Sequence, residues 1–188
     1  VDEGVLVAIS RARTLSQYRT MVASAQLGNC PFCEMDPEKI RVIHSTTGFW
    51  VWNNPFPEKN TKRHVMIAPK RHVLGLVDLT ADEILQLWQI RIFLKDQLDM
   101  PYCGIVIRDG DATCLAGTVR HLHIHAMVPD GIGRVETPFH KGAEADAESM
   151  ARAIVFEKIR MSPSENQLVE FADVLTADEL KLVEGRLN

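Results

Sequence analysis

The stretch His121-Leu122-His123-Ile124-His125-Ala126-Met127-Val128 alternates polar and apolar residues at period two. Read as a strand over His121 to Val128, it places three imidazoles on one face and Leu122, Ile124 and Ala126 on the other, core-facing side. Same-face neighbours stand roughly 6.5 to 7 Å apart, so adjacent imidazoles can share one phosphate or metal, whereas the outer two, roughly 13 Å apart, need separate tasks. A buried imidazole needs a hydrogen-bond partner, and a row of them repel one another when protonated, costs that a purely structural strand avoids. The spacing therefore points to chemistry, because neutral imidazole near pH 7 is the form that acts as nucleophile or metal ligand.

Outward from this strand the chain reads as alternating short β-runs and one strong helix. Lys39 to His44, Gly48 to Asn53 and His64 to Pro69 are rich in Val, Ile, Phe and Trp and are separated by Thr-Thr-Gly and Asn-Asn-Pro breakers, the pattern of an antiparallel meander. Thr80-Ala81-Asp82-Glu83 is a capping-box signature that opens a helix to about Leu98. Ile84, Leu85, Trp88 and Ile92 are spaced to form one apolar face, expected to lie on the sheet. Gly104 to Arg108 supplies another strand, followed by a loop with Asp109-Gly110. The result is an α+β architecture, an antiparallel meander sheet packed against a central helix. Residues 9 to 27 read as an N-terminal helix ended by Gly28-Asn29, and the C-terminal part as a helix from about Gly142 to Arg160, a short strand near Leu168 to Phe171 and a helix from Thr176.

Four Cys are too few for a disulfide scaffold in a chain of 188 residues. Cys30-Pro31-Phe32-Cys33 fits half of a tetrahedral zinc site, a redox pair or two ordinary cysteines. It follows a helical segment and precedes the Asp36-Pro37 turn, the reverse of a thioredoxin-like context, which favours zinc. Two of the histidines would then complete a closed Cys₂His₂ centre. Cys103 and Cys114 have no such spacing, and packing is their expected role.

Composition sets the frame. With 46% apolar and 24% charged residues the chain is an ordinary globular protein, long enough for one full core with decorations. Its net charge of −4 argues against broad electrostatic binding to nucleic acid. The acidity belongs to residues 130–188, net −5, against +1 for residues 1–129. Lys59, Lys62, Arg63, Lys70 and Arg71 cluster with no acid after Glu58, either a patch for phosphate or a solvated loop edge. No apolar run approaches the roughly 18 residues of a membrane span and no leader pattern is visible, so a cytoplasmic protein without a membrane partner is expected.

The motifs together resemble the histidine triad, or HIT, family of nucleotide hydrolases and transferases. The signature His-x-His-x-His followed by two apolar residues is His121-Leu-His123-Ile-His125-Ala-Met here. Upstream, His64-Val-Met-Ile-Ala-Pro69-Lys70-Arg71-His72 is similar to the family's Gly-His-apolar-Pro-Lys-x-His segment, with Arg63 where the Gly stands. The Asp78-Leu-Thr80 lead into the helix is similar too. The resemblance covers residues 30–129, with 1–29 as a helical extension and 130–188 as an acidic, mostly helical one. It implies that His123 attacks the α-phosphorus of a nucleotide, cleaving a phosphoanhydride or phosphoramidate through a transient nucleotidyl-histidine. It also implies that His125 holds phosphate oxygens, that Thr118 helps to hold the charge that builds, and that Asn53 touches the nucleoside. Asp109 lies in a turn the family uses, and Arg108 beside it offers a phosphate contact where the Gln usual before Thr118 is absent. As in zinc-containing members, the structural metal ligands would be Cys30, Cys33, His72 and His121, and the family's pairing through the central helix implies a homodimer. A non-catalytic nucleotide-binding module and a catalytic-zinc hydrolase are the alternatives. The galactose-1-phosphate uridylyltransferases are similar but much longer, with Pro between paired His.

Overall fold

Phe49-Trp50-Val51-Trp52-Asn53 forms strand β2 (Phe49–Asn53), and its alternation explains how the sheet is covered on both sides. In this computed structural model, which describes residues 6, 7, 17, 20, 21, 23, 24, 27–37, 39–110 and 117–137, Phe49 and Val51 enter one buried cluster and Trp52 a second on the opposite face. Around β2 lie β1 (Val42–Ser45), β3 (Thr61–Pro69), β4 (Gly104–Ile107) and β5 (Ile124–Pro129), all paired antiparallel in the order β1-β2-β3-β5-β4. The first three strands make the meander, and β5 returns to sit between β3 and β4. The helix α1 (Ala81–Gln97) covers one face. The fold class is thus α+β, a five-stranded antiparallel sheet with one main helix.

The main cluster joins Val65, Ile67, Ile124, Ala126 and Val128 of the sheet to Ile90 and Leu94 of the helix. Full burial of each of those two helix side chains contributes about 1.5–3 kcal/mol. The second cluster, Met35, Trp52, Met66 and Ala68 with Phe32 against it, lies on the face that also carries His64 and His125.

Which face of α1 meets the sheet differs from the periodicity reading. Ile84, Leu85, Trp88 and Ile92 are 48%, 55%, 66% and 47% exposed, while Glu83, Gln86, Ile90 and Leu94 are the buried stripe. The physical reason is that the β1–β2 turn needs acceptors. Gln86 Oε1 accepts from Thr46 Oγ1 at 2.6 Å and Gly48 N–H at 2.9 Å. Glu83 closes the capping box, its carboxylate accepting from Thr80 N–H and its own N–H donating to Thr80 Oγ1. Partnered polar groups therefore occupy the inner end of the helix, and an apolar stripe is left outside.

The strand expected over His121 to Val128 begins only at Ile124. Ahead of it the backbone pairs elsewhere, with Leu122 N–H donating to Val73 O at 2.7 Å, so His121 to His123 follow the segment after β3 rather than the ladder. At the other end of the chain, residues 17, 20, 21, 23, 24 and 27 are helical, and Gly28 at φ +66° ends the run. Leu6 and Val7 reach the approach to the triad, Val7 bridging Val119 and Leu6 O accepting from Arg120 N–H at 2.9 Å. The expected elements from Gly142 onward, and Cys114 and His140, lie outside the described residues. Cys103 packs at the edge of the main cluster.

Candidate active site and metal centre

Two backbone carbonyls decide what the first two imidazoles can do. Pro69 O lies 3.0 Å from His121 Nε2. A carbonyl only accepts, so the proton sits on Nε2 and the Nδ1 lone pair faces Cys30 Sγ at 3.3 Å and Cys33 Sγ at 3.5 Å. His123 is arranged the other way round. Its Nδ1–H donates to His121 O at 2.7 Å, which leaves the Nε2 lone pair for chemistry. Both rings are buried, and burial holds both pKa values down at about 4. For His121 the neighbouring imidazoles of His72 and His123 add to the effect of burial, and for His123 the Arg108 guanidinium does.

Cys30, Cys33, His72 and His121 each offer a ligand atom, all within 4.8 Å of one another. His72 Nδ1 lies 3.4 Å from Cys33 Sγ. Thiol–imidazole separations of 3.3 to 3.5 Å suit the edge of a tetrahedron whose centre stands about 2.0–2.3 Å from each donor, so the set fits one zinc ion. Partial desolvation of its thiol, then Cys30 and Glu34, push Cys33 up to about 12. A dication reverses that balance by stabilising thiolate. The quartet comes from three places: the Cys30–Glu34 turn, the segment after β3 and the approach to β5.

The segment carrying His72 is held on both sides. Arg71 grips Glu83 in a bidentate pair, both contacts at 2.7 Å, and Lys70 Nζ donates to Thr46 O at 2.6 Å. This accounts for two of the five basic residues in the cationic cluster. The Arg71 guanidinium in turn holds the Glu83 carboxyl down at about 2.

Beyond His123 runs a second polar chain. Glu58 N–H donates to His64 Nδ1 at 3.0 Å, so the His64 proton is on Nε2 and is donated to His125 Nδ1 at 2.8 Å. His125 then carries its proton on Nε2, 3.0 Å from Arg108 Nη1. Both are donors, so this contact sets two donors side by side, the arrangement that receives an anionic oxygen. The His123 and His125 rings lie 5.1 Å apart, so that donor pair and the His123 ring are neighbours.

Other residues singled out from sequence take different positions. Asp109 Oδ1 accepts from Leu76 N–H at 2.6 Å and so ties the end of β4 to the turn ahead of α1. Thr118 is half-buried on the approach to His121. Asn53 is exposed at the end of β2, in the alternation of Phe49 and Val51 that faces the helix. Its neighbour Asn54 is the residue that meets His64, with Nδ2 3.2 Å from the ring Nε2, while its Oδ1 accepts from Phe56 N–H at 2.9 Å. Asn54 is hidden in sequence because Asn-Pro reads as a turn breaker, and the same turn delivers it to the site.

No family model and no curated protein matches this chain. Among solved structures, it is similar to the histidine triad nucleotide-binding protein from Candida albicans, at 18% identity and TM-score 0.48, over 71% of this chain and 96% of that one. It is similar to a Zn-bound histidine triad family protein from Mycobacterium smegmatis at 23% identity and TM-score 0.42, over 71% of this chain and 96% of that one. A HIT family hydrolase from Legionella pneumophila aligns at 22% identity and TM-score 0.40, over 53% and 92%. The likeness is one of fold. Among the described residues, no helix is long and apolar enough to cross a membrane.

Proposed function

We propose that the protein is a histidine triad-type nucleotide hydrolase or nucleotidyl transferase, with residues 30–129 carrying the site. The observation that carries this reading is the His123 Nδ1–H bond to His121 O at 2.7 Å, beside the His125 and Arg108 donor pair. His123 Nε2 attacks the α-phosphorus, and the bond to the leaving group breaks with its electron pair going to that group. The ring becomes cationic as the phosphorus–nitrogen bond forms, and the His121 carbonyl on Nδ1–H stabilises that charge. Non-bridging oxygens rest on His125 Nε2–H and Arg108. Water or another acceptor then displaces His123, whose electron pair returns to Nε2, and the acceptor's proton passes to solvent. Thr118 and Asp109 line or support the phosphate side, and Asn54, which meets His64, rather than Asn53 on the helix face of β2, stands at the nucleoside end.

Cys30, Cys33, His72 and His121 would hold zinc in a structural role, since four protein donors leave no open position for a catalytic water. A site built on reduced thiols suits a reducing compartment such as the cytoplasm. The exposed stripe of Ile84, Leu85, Trp88 and Ile92, with Tyr102 and Ile105 also exposed, is the surface for a homodimer. A monomeric mass in light scattering at micromolar concentration would remove that part.

The test of the function is release of nucleoside monophosphate from a panel of phosphoramidates and dinucleoside polyphosphates, wild type beside His123→Ala. Release by the wild type that His123→Ala abolishes is the expected result. Micromolar nucleotide binding with no release by the wild type would replace the enzyme reading with a binding module.

A further inference from the structure

Phe32 sits between the two thiols of the metal quartet in sequence, yet its side chain also lies against the nucleophile. The turn that carries it is tight, with Cys33 N–H and Glu34 N–H both donating to Cys30 O at 3.1 Å. From that turn the Phe32 ring stands edge-on to His121 at a centroid distance of 5.6 Å and to His123 at 5.4 Å, and it rests on Trp52 at 5.4 Å. One half-buried ring thus touches a metal ligand, the nucleophile and the second core cluster.

We propose that Phe32 transmits metal occupancy to His123, acting as a positioning residue for the nucleophile. This rests on the reading of the quartet as a metal centre. The metal joins the turn bearing Phe32 to His72 and His121 on other segments, so occupancy fixes where the ring lies. The His123 imidazole has a torsional choice: with Nδ1 on His121 O it presents Nε2, and a flipped or swung ring presents the wrong nitrogen or none. The carbonyl holds one edge of that ring through a single hydrogen bond. Phe32 packs edge-on against one side of the ring at 5.4 Å, and His125 stands on another side, 5.1 Å away. Packing of this kind preserves orientation without contributing a proton or a charge, and orientation is what in-line attack at phosphorus requires. Two routes therefore run from the metal centre to His123, one through the His121 backbone and one through Phe32. Only the second can be removed by a side-chain substitution that leaves all four ligands in place.

The experiment is nitrogen-15 NMR of the histidine rings in the full-length protein at pH 8, with zinc content measured on the same samples. In the zinc-loaded wild type, His123 is expected as the Nδ1–H tautomer alone. Zinc-loaded Phe32→Ala is expected to keep one zinc per chain and to show His123 averaged between tautomers, with His121 unchanged. Phe32→Leu, which restores bulk without the ring, should return His123 to the single tautomer. Stripping zinc from the wild type should have the same effect on His123 as the Ala substitution. If the Ala chain does not fold, Phe32→Val takes its place with the same expectation. A wild-type His123 signature in zinc-loaded Phe32→Ala or Phe32→Val overturns the proposal, as does an unchanged signature in folded, zinc-free wild type. Failure of the wild type to take up zinc overturns the metal reading itself, a different result from zinc bound and His123 unmoved.

Discussion

His121 and His123 are two residues apart, buried, and held neutral by the same desolvation, yet they present opposite nitrogens. His121 gives its proton to Pro69 O and turns Nδ1 to two thiols, whereas His123 gives its proton to His121 O and turns Nε2 to the open side. His125 reverses once more, accepting a hydrogen bond from His64 on Nδ1. The difference teaches that tautomer, and hence task, is assigned by the backbone carbonyl or neighbouring ring that each imidazole finds. At His121 the ring's lone pair is committed to a pair of thiols, and at His123 it is kept available.

The strongest way to break this division is to delete one side and watch the other. His123→Ala should lower nucleotide release by at least roughly a thousandfold, the scale of losing a covalent nucleophile, while zinc content stays at one per chain. Loss of zinc in that variant would show that the two ends are not separate. At the metal end, zinc at about 1,000 times its Kd adds about 4 kcal/mol to stability. For a chain of this size that is roughly 8–16 °C in the unfolding midpoint, lost on chelation and absent in Cys30→Ser. Because the Cys33 thiol stands near 12 without metal, zinc uptake must displace protons, and affinity should fall as pH is lowered.

Acid gives a third test. The folded pKa values of His121 and His123, about 4, lie below the ordinary 6.5, so the unfolded chain binds more protons between those values. The stability that these rings contribute is complete above pH 6.5 and is lost as pH falls toward 4, on the order of 3 kcal/mol for each ring in the metal-free protein. Urea midpoints measured from pH 7.5 to 4.5 should trace that decline, and midpoints flat across the window would place these rings in solvent. The smallest effect is expected at Arg108. Arg108→Gln removes a charge-assisted contact worth about 1.5–3 kcal/mol, so kcat/KM should fall by about ten- to a hundredfold with zinc content unchanged. An unaltered kcat/KM would remove Arg108 from the phosphate side.

Much of the site could be read from local pattern. Period-two spacing brought out His121, His123 and His125, and the Cys30-x-x-Cys33 spacing marked a half-site that the fold closes with His72 and His121. The groups that choose the tautomers could not be read, because Pro69 O, His121 O and Glu58 N–H are backbone groups common to nearly every residue. Their role arises only when β3, β5 and the turn after β2 meet. The helix misled for a related reason. Its larger side chains, Trp88 among them, form an apolar stripe by themselves, and the buried one includes Gln86, whose partners Thr46 and Gly48 lie in a turn distant in sequence, and Glu83, which caps its own helix and pairs with Arg71.

The place of β5 between β3 and β4 has a consequence for how the molecule is made. Among the described residues β4 has no other strand partner, so the sheet has an unpaired member until the histidine-bearing segment emerges from synthesis and slots in. The strand that carries His125 is therefore the keystone, the last of the described strands in the chain and gripped on both sides. An N-terminal fragment ending before Ile124 would lack the strand that carries His125 and leave unpaired edges on β3 and β4. Closure of the described sheet and arrival of His125 beside His64 are the same event.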